Sequence, residues 1–377
     1  MTNTYQQCVR CVMSNDVDTS IVFNEQGVCH HCLRYDELLT TRVFSGEDAE
    51  SRLAAVVSKI KKSRKASSQY DCLIGVSGGV DSTYVAYLVK QLGLRPLAVH
   101  FDNGWNSELA VKNIEKTLQK LDIDLVTYVV DWKEFKDLQL SFLKASVPDG
   151  EIPTDHAIFA LLWKTAVKHN IKYIISGMNF ATESISVPNW SYGHSDWKYI
   201  KDVHKKHGSI VLKSYPHYNL AQLFYYNFIR GIRSVSILNY VDYNKDRVMK
   251  LLQDELGWVY YGGKHYESIY TRFFQGYILP EKFNIDKRYG HYSDLINARQ
   301  ISREQALEEL KTNSYSDELK EADLAYAAKK FSLTPEQFKE ILATPPSSYH
   351  DYKNSASVIA NLKKLVNFLR KIGLYPK

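Results

Sequence analysis

One short stretch constrains this chain more than any other: Ser77-Gly78-Gly79-Val80-Asp81-Ser82-Thr83. The apolar run Asp71-Cys72-Leu73-Ile74-Gly75-Val76 precedes it, short and partly β-branched, as a buried strand should be. Tyr84 to Leu92 follows with a helical pattern and stops at Gly93. A strand, a glycine turn and a helix present backbone N–H groups and a positive helix end to an anion. Gly78 and Gly79 let the backbone approach a phosphate, and Ser77, Ser82 and Thr83 add hydroxyl donors. An ordinary serine-rich glycine turn is the alternative.

The loop has neither the spacing nor the lysine of a Walker A loop. It resembles instead the SGGxDS loop of the PP-loop ATP pyrophosphatases, which grips the pyrophosphate end of ATP. The resemblance implies cleavage of ATP between the α and β phosphates, with AMP passed to a carbonyl or amide oxygen.

Four of the five cysteines lie near the start of the chain, as Cys8-Val9-Arg10-Cys11 and Cys29-His30-His31-Cys32. Two CxxC knuckles in a segment too small for its own core match a four-thiolate zinc site, ordered by the metal and structural because no coordination position stays open. Two disulfides, a redox or sulfur-transfer pair, and replacement of one thiolate by His30 or His31 are the other readings. The chain begins without a signal-peptide pattern and contains no run of about 18 apolar residues, so a soluble, cytoplasmic protein without a membrane partner is expected. A net charge of +6 over 377 residues fits anionic small substrates and does not call for nucleic acid.

Further along, strands are expected at 95–101, 125–130 and 172–176, alternating with helices at 106–121, 132–145 and 157–169. That alternation predicts an α/β fold with a doubly wound parallel sheet. The second strand ends at Asp102-Asn103-Gly104 and the fourth at Gly177-Met178-Asn179, where such sheets bind ligands. Asp102 is therefore a nucleotide-site candidate, with a plain Asp-Asn-Gly turn as the alternative. Gly177 and Asn179 become candidates because their Gly-x-Asn resembles one that PP-loop enzymes place beside the nucleotide, and Glu183 a few residues on could bind magnesium. Thr154 or Asp155 suits an N-cap, while a functional reading puts Asp155 and His156 at the mouth of the site. Pro188 to His207 reads as a loop suited to a lid or to substrate, Leu220 to Ile237 as a helix, and the remainder of the chain as amphipathic helices. The expected divisions are a zinc knuckle at 1–45, the nucleotide domain at 46–290 and a helical region at 291–377.

A second dense stretch is Tyr261-Gly262-Gly263-Lys264-His265-Tyr266-Glu267-Ser268, continuing to Thr271 and Arg272. If helical, it brings positions 264, 268, 271 and 272 near one face, where Lys264 and Arg272 would bind phosphate or carboxylate. A solvated helix face with an ion pair is the plain alternative. Ile285-Asp286-Lys287-Arg288 adds another basic pair.

Knuckles, PP-loop, Gly-Met-Asn, Gly-Gly-Lys-His-Tyr-Glu-Ser and Ile-Asp-Lys-Arg, in this order, resemble the N-acetyl sugar amidotransferases of bacterial surface polysaccharide synthesis. That resemblance implies adenylation of an N-acetyl oxygen on a nucleotide sugar, then displacement of AMP by ammonia to leave an acetamidino group. Ser77, Gly78, Gly79, Asp81, Ser82 and Thr83 would hold pyrophosphate with Mg2+. Asp81, Lys264 and Arg272 would act in catalysis, and Asp155, His156, Lys264, His265, Glu267 and Arg288 would contact the sugar nucleotide. With no N-terminal-nucleophile cysteine, ammonia is expected from a separate glutaminase subunit, with a cyclase-like component similar to that of histidine biosynthesis. Rivals are a tRNA thiolase, other adenylating ligases such as the asparagine, GMP and NAD synthetases, and a nucleotide-sensing scaffold.

Overall fold

The computed structural model describes residues 4–65, 68–263, 265–312 and 315–371. Five parallel strands form one sheet: β1 (Cys72–Gly75), β2 (Pro96–Asp102), β3 (Asp124–Val129), β4 (Tyr173–Ser176) and β5 (Arg233–Ser236), in the order β3-β2-β1-β4-β5. All pairings are parallel, as the expected doubly wound α/β sheet requires. Strand side chains alternate between two cores. Leu73, Leu97, Val99, Phe101 and Ile174 face one, while Cys72, Ile74, Ala98 and Ile175 face the other.

The chain runs outward from β1 to β3 and then returns to the other side of β1 for β4 and β5. The reversal between β1 and β4 opens a crevice at their carboxyl ends, the usual ligand position in open α/β sheets. The SGGVDS loop lies there. Helices Gly46–Ser63, Val80–Gln91, Glu108–Leu121 and Lys245–Leu256 cover one face; Trp132–Ala145 and Ile152–Lys168 cover the other. Phe331 and Phe338, from the helices at Asp317–Phe331 and Pro335–Ala343, are buried in the same core as Phe135 and Leu97.

Three expected elements differ. Leu220–Phe224 is helical and continues as a π-helical turn to Ile229, but Gly231 (φ +62°) ends it and releases β5. Pairing of β5 with β4 overrides the aromatic helical pattern that hid it. Trp197–His207 is a helix rather than loop, because the Asp196 carboxylate accepts from the N–H groups of Lys198 and Tyr199. The helix expected from Ala157 begins at Ile152 with Pro153 in its first turn, so Thr154 and Asp155 lie inside it and neither is the N-cap.

Cys8, Cys11, Cys29 and Cys32 are all fully buried, with their sulfurs within 4.8 Å of one another. The 3.6 Å between the Cys11 and Cys29 sulfurs is too long for a disulfide and close to the separation of about 3.8 Å between thiolates on one tetrahedral zinc. Backbone N–H groups of Arg10 and Cys29 point at the Cys8 sulfur, at 3.4 and 3.3 Å, and would stabilise a thiolate. The donor set fits a structural zinc. Arg303 ties the knuckle to the rest of the molecule through the Cys8 and Cys11 carbonyls.

Candidate active site

Strand β1 delivers the loop and Gly78 bends it, at φ +80°. A Cβ on Gly78 would fall 2.4 Å from the Ala110 carbonyl oxygen, so only glycine lets the loop pass the next helix. Trp258 pins the turn by donating its indole N–H to the Gly78 carbonyl at 3.0 Å. Gly79 is the N-cap of the helix Val80–Gln91 and offers no side-chain acceptor, which leaves that helix start to neighbours or a ligand. The hydroxyls of Ser77 and Ser82 sit 3.2 Å apart on the open side of the turn. Thr83 is buried in the helix and does not line the cavity.

Gly177, at the end of β4, packs against the first helical turn; a Cβ there would lie 3.3–3.4 Å from Asp81 and the Ser82 nitrogen. Asn179 is buried and accepts from the backbone and hydroxyl of Thr182, so it shapes the following loop. Asp81 accepts from the Tyr243 hydroxyl, whose pKa is driven far up by burial and by Asp81 itself, which keeps it a neutral donor. Glu183 borders the loop on the same side. Asp102 departs from its expected role. Its carboxylate accepts from Gly104 N–H at 2.9 Å, and His100, Phe101, Asn103 and Asn106 line the cavity at this strand end instead.

The second constellation docks directly over the end of β2. Asn106 and Ser268 form an antiparallel bridge, the Ser107 N–H donates to the Glu267 carbonyl at 2.9 Å, and the Ile269 N–H donates to that of Trp105. The stretch is not helical before Ile269, since Ser268 is the N-cap, so the expected single face from 264 to 272 does not form. Lys264 lies outside the described residues. Burial opposes the charge on Glu267, but His265 and the Tyr261 hydroxyl outweigh it and hold the carboxyl below its usual range. His265 has a left-handed backbone, φ +65°, uncommon for a side chain of this size, and stands 3.7 Å from Glu267.

His265 lines three adjoining cavities. The first holds the phosphate loop, with Tyr243, Lys245, Tyr261 and His291. The second, about 670 Å³, runs from Gly75 and Ser77 past His100 to Asp155, His194 and Lys287. The third, about 590 Å³, is bordered by Lys245, Tyr266, Arg272, Lys287, Arg288 and Lys320. Ser77, Ser82, Glu183, His265 and Glu267 are common to the first two.

Several expected ligands have other duties. His156 is fully buried, not at the mouth. Its Nδ1 donates to the His194 carbonyl at 2.6 Å, Nε2 accepts from the Tyr218 N–H, and burial lowers its pKa to about 4. Asp155 does reach the cavity, paired with His194 at 3.0 Å. Burial works against charge on His194, but Asp155 and Asp149 prevail and raise its pKa. Arg272 makes a bidentate pair with buried Asp323, at 2.8 and 2.6 Å, and Tyr315 donates to the same carboxylate. Arg288 is clasped by Asp286 and the Thr312 carbonyl. Lys287, its neighbour, faces both larger cavities. His194, Tyr243, Lys245, Tyr261, Lys287 and His291 were not singled out by sequence reasoning. The basic pair at 287–288 signalled Lys287, and Tyr261 and His194 lay in stretches noted only as a whole.

The chain is similar to a tRNA-specific 2-thiouridylase of Fusobacterium nucleatum, 29% identical over 28% of this chain and 32% of that protein. It is also similar to a glutamine-hydrolyzing GMP synthase of Pyrobaculum aerophilum, 33% identical over 34% of this chain and 25% of that one. It spans between 22% and 58% of the length of the curated relatives it matches. Among solved structures, the NMN synthetase of Francisella tularensis aligns over 58% of this chain and 84% of its own, at 17% identity and a TM-score of 0.30. The strand order, not that superposition, identifies the sheet. Residues 267–367, which close the site, match the family of the LPS biosynthesis protein WbpG-like, C-terminal domain.

Proposed function

We propose that the protein is an ATP-dependent, AMP-forming amidotransferase that converts an N-acetyl group of a nucleotide-activated sugar to an acetamidino group for bacterial surface polysaccharide. One observation carries this reading: the SGGVDS cavity at the sheet's reversal opens, through Ser77, Ser82, Glu183, His265 and Glu267, into a second cavity large enough for another reactant. The likeness to a glutamine-hydrolyzing GMP synthase and the lipopolysaccharide-linked match at 267–367 support it.

An amide is a weak electrophile until its oxygen is activated. In the proposed reaction the acetamido oxygen attacks the α-phosphorus of ATP, the O–P bond forms, pyrophosphate leaves and the amide N–H proton is lost. Ammonia then adds to the imidate carbon, AMP leaves with the C–O bond electrons, and the surplus proton passes to a base. Ser77, Ser82 and the N–H groups around Gly79 hold the pyrophosphate, with Lys245 and His291 beside it. Asp81 and Glu183 are the carboxylates suited to Mg2+, which would neutralise the leaving phosphates. His265, beside ionised Glu267, takes the proton released as ammonia adds. Lys287, not Arg288, contacts the anionic sugar nucleotide. Within this chain no cysteine can serve as a glutaminase nucleophile. Four form the knuckle, and Cys72 is buried in β1 with its thiol pKa pushed up. Ammonia comes from a separate glutaminase subunit with a cyclase-like component.

The match to a thiouridylase favours tRNA thiolation as a second reading. That chemistry generally uses a reactive thiol near the nucleotide, and Cys72 is sealed in the core. Mass spectrometry of UDP-diacetamido sugars incubated with protein, Mg-ATP and ammonium separates the two. Replacement of oxygen by NH in the sugar, with AMP formed alongside, is expected. AMP formed on tRNA, with every sugar unchanged, would overturn the amidotransferase.

A further inference from the structure

The helix Ala356–Lys371 turns a row of apolar residues outward. Val358, Leu362, Leu365 and Phe368 are 51%, 47%, 51% and 57% exposed, and their helical spacing places them along one flank. Helices such as Glu108–Leu121 and Trp132–Ala145 instead bury their apolar stripe in the cores under the sheet. Lys364, beside that flank, and Asn367, behind it, are exposed. The charges are of one sign only. From residue 352 to residue 377 the sequence contains six Lys and Arg and no Asp or Glu.

This sign selects the occupant. A second copy of the same helix would bring like charges together along the seam, which opposes pairing. An apolar flank of Leu, Val and Phe, in a stretch of sequence whose charges are all cationic, matches the boundary of an anionic bilayer, where acyl chains take the flank and headgroups attract the cations. No helix among the described residues is long and apolar enough to cross a membrane, and an interfacial helix has no need to be. We propose that the helix Ala356–Lys371 docks the protein on an anionic lipid surface, with Val358, Leu362, Leu365 and Phe368 entering the headgroup boundary. The proposal does not depend on the reaction assigned above.

The test is flotation of the full-length protein with vesicles of phosphatidylcholine alone or mixed with phosphatidylglycerol. Binding is expected only with phosphatidylglycerol present, falling about tenfold between low and high salt as the charges are screened. Leu365→Glu with Phe368→Glu should lower binding at least about tenfold with the melting temperature lowered only slightly, because about half of each side chain already faces solvent. Flotation of that variant equal to wild type would overturn the proposal, as would equal binding to neutral vesicles or none to either. A wild-type dimer that becomes monomeric only in the double variant would assign the flank to a second copy and overturn it too.

Discussion

The phosphate loop and the 261–288 stretch line the same cavities but are built in different ways. The loop is a local device. Strand, turn and helix are contiguous, and the turn at Gly78 with its two serines is set out within residues 77–83, although Trp258 and the helix carrying Ala110 brace it from outside. The second stretch is assembled from afar: Glu267 and Ser268 are held by residues 105–107, Arg272 by Asp323, and Lys287 reaches Glu151 at 3.8 Å. A residue's charge in such a region says little about its task until its partner is known.

That contrast can be broken most severely at the loop. Gly78→Ala should reduce ATP turnover about a thousandfold and also lower the melting temperature, since its Cβ meets a backbone carbonyl that cannot move aside at a φ unfavourable to alanine. Turnover within tenfold of wild type would show that the loop tolerates a side chain there and is not locally fixed. In the second stretch, Asp323→Asn should cost about 3 kcal/mol in denaturant unfolding, because it strands the Arg272 guanidinium. An unchanged midpoint would return Arg272 to ligand binding.

Acid tests the region where sequence reasoning erred on His156. Its folded pKa, about 4, lies below the ordinary histidine value, so between about 6.5 and 4 the unfolded chain binds the extra proton. Stability should therefore be full above about pH 6.5 and fall as pH drops through this window, by at most about 3 kcal/mol from this residue. His156→Gln should flatten that part of the profile; an unaltered slope would show that the group is not buried neutral. The smallest effect compares neighbours. Lys287→Gln should raise KM for the sugar nucleotide about tenfold with kcat nearly constant, whereas Arg288→Gln should leave KM alone and cost about 1 kcal/mol of stability. The reverse pattern would exchange their roles.

Legibility followed the same division. The sheet from β1 to β4, the loop and the cysteine cluster were readable because periodicity, glycine and CxxC spacing are local signals. Strand β5 was not, since four residues after an aromatic helical run acquire their identity only by pairing with β4. His156 looked like a ligand because nothing nearby in sequence announces its stacking on Tyr218 or its bond to the His194 carbonyl. Four of the 27 tyrosines share one physical role: those at 199, 243, 315 and 349 donate to Asp149, Asp81, Asp323 and Asp196, most of them buried. A neutral phenol, its pKa raised by that burial, satisfies a carboxylate without adding charge.

The most direct test of one shared site is isotope exchange between pyrophosphate and ATP, with a UDP-diacetamido sugar present or absent. The account predicts exchange that requires the sugar, persists in His265→Gln and is lost in Ser82→Ala, with acetamidino product lost in both variants. Exchange without any acetamido acceptor, or loss of exchange in His265→Gln, would contradict a site in which the phosphate loop activates the sugar and His265 serves only the ammonia step.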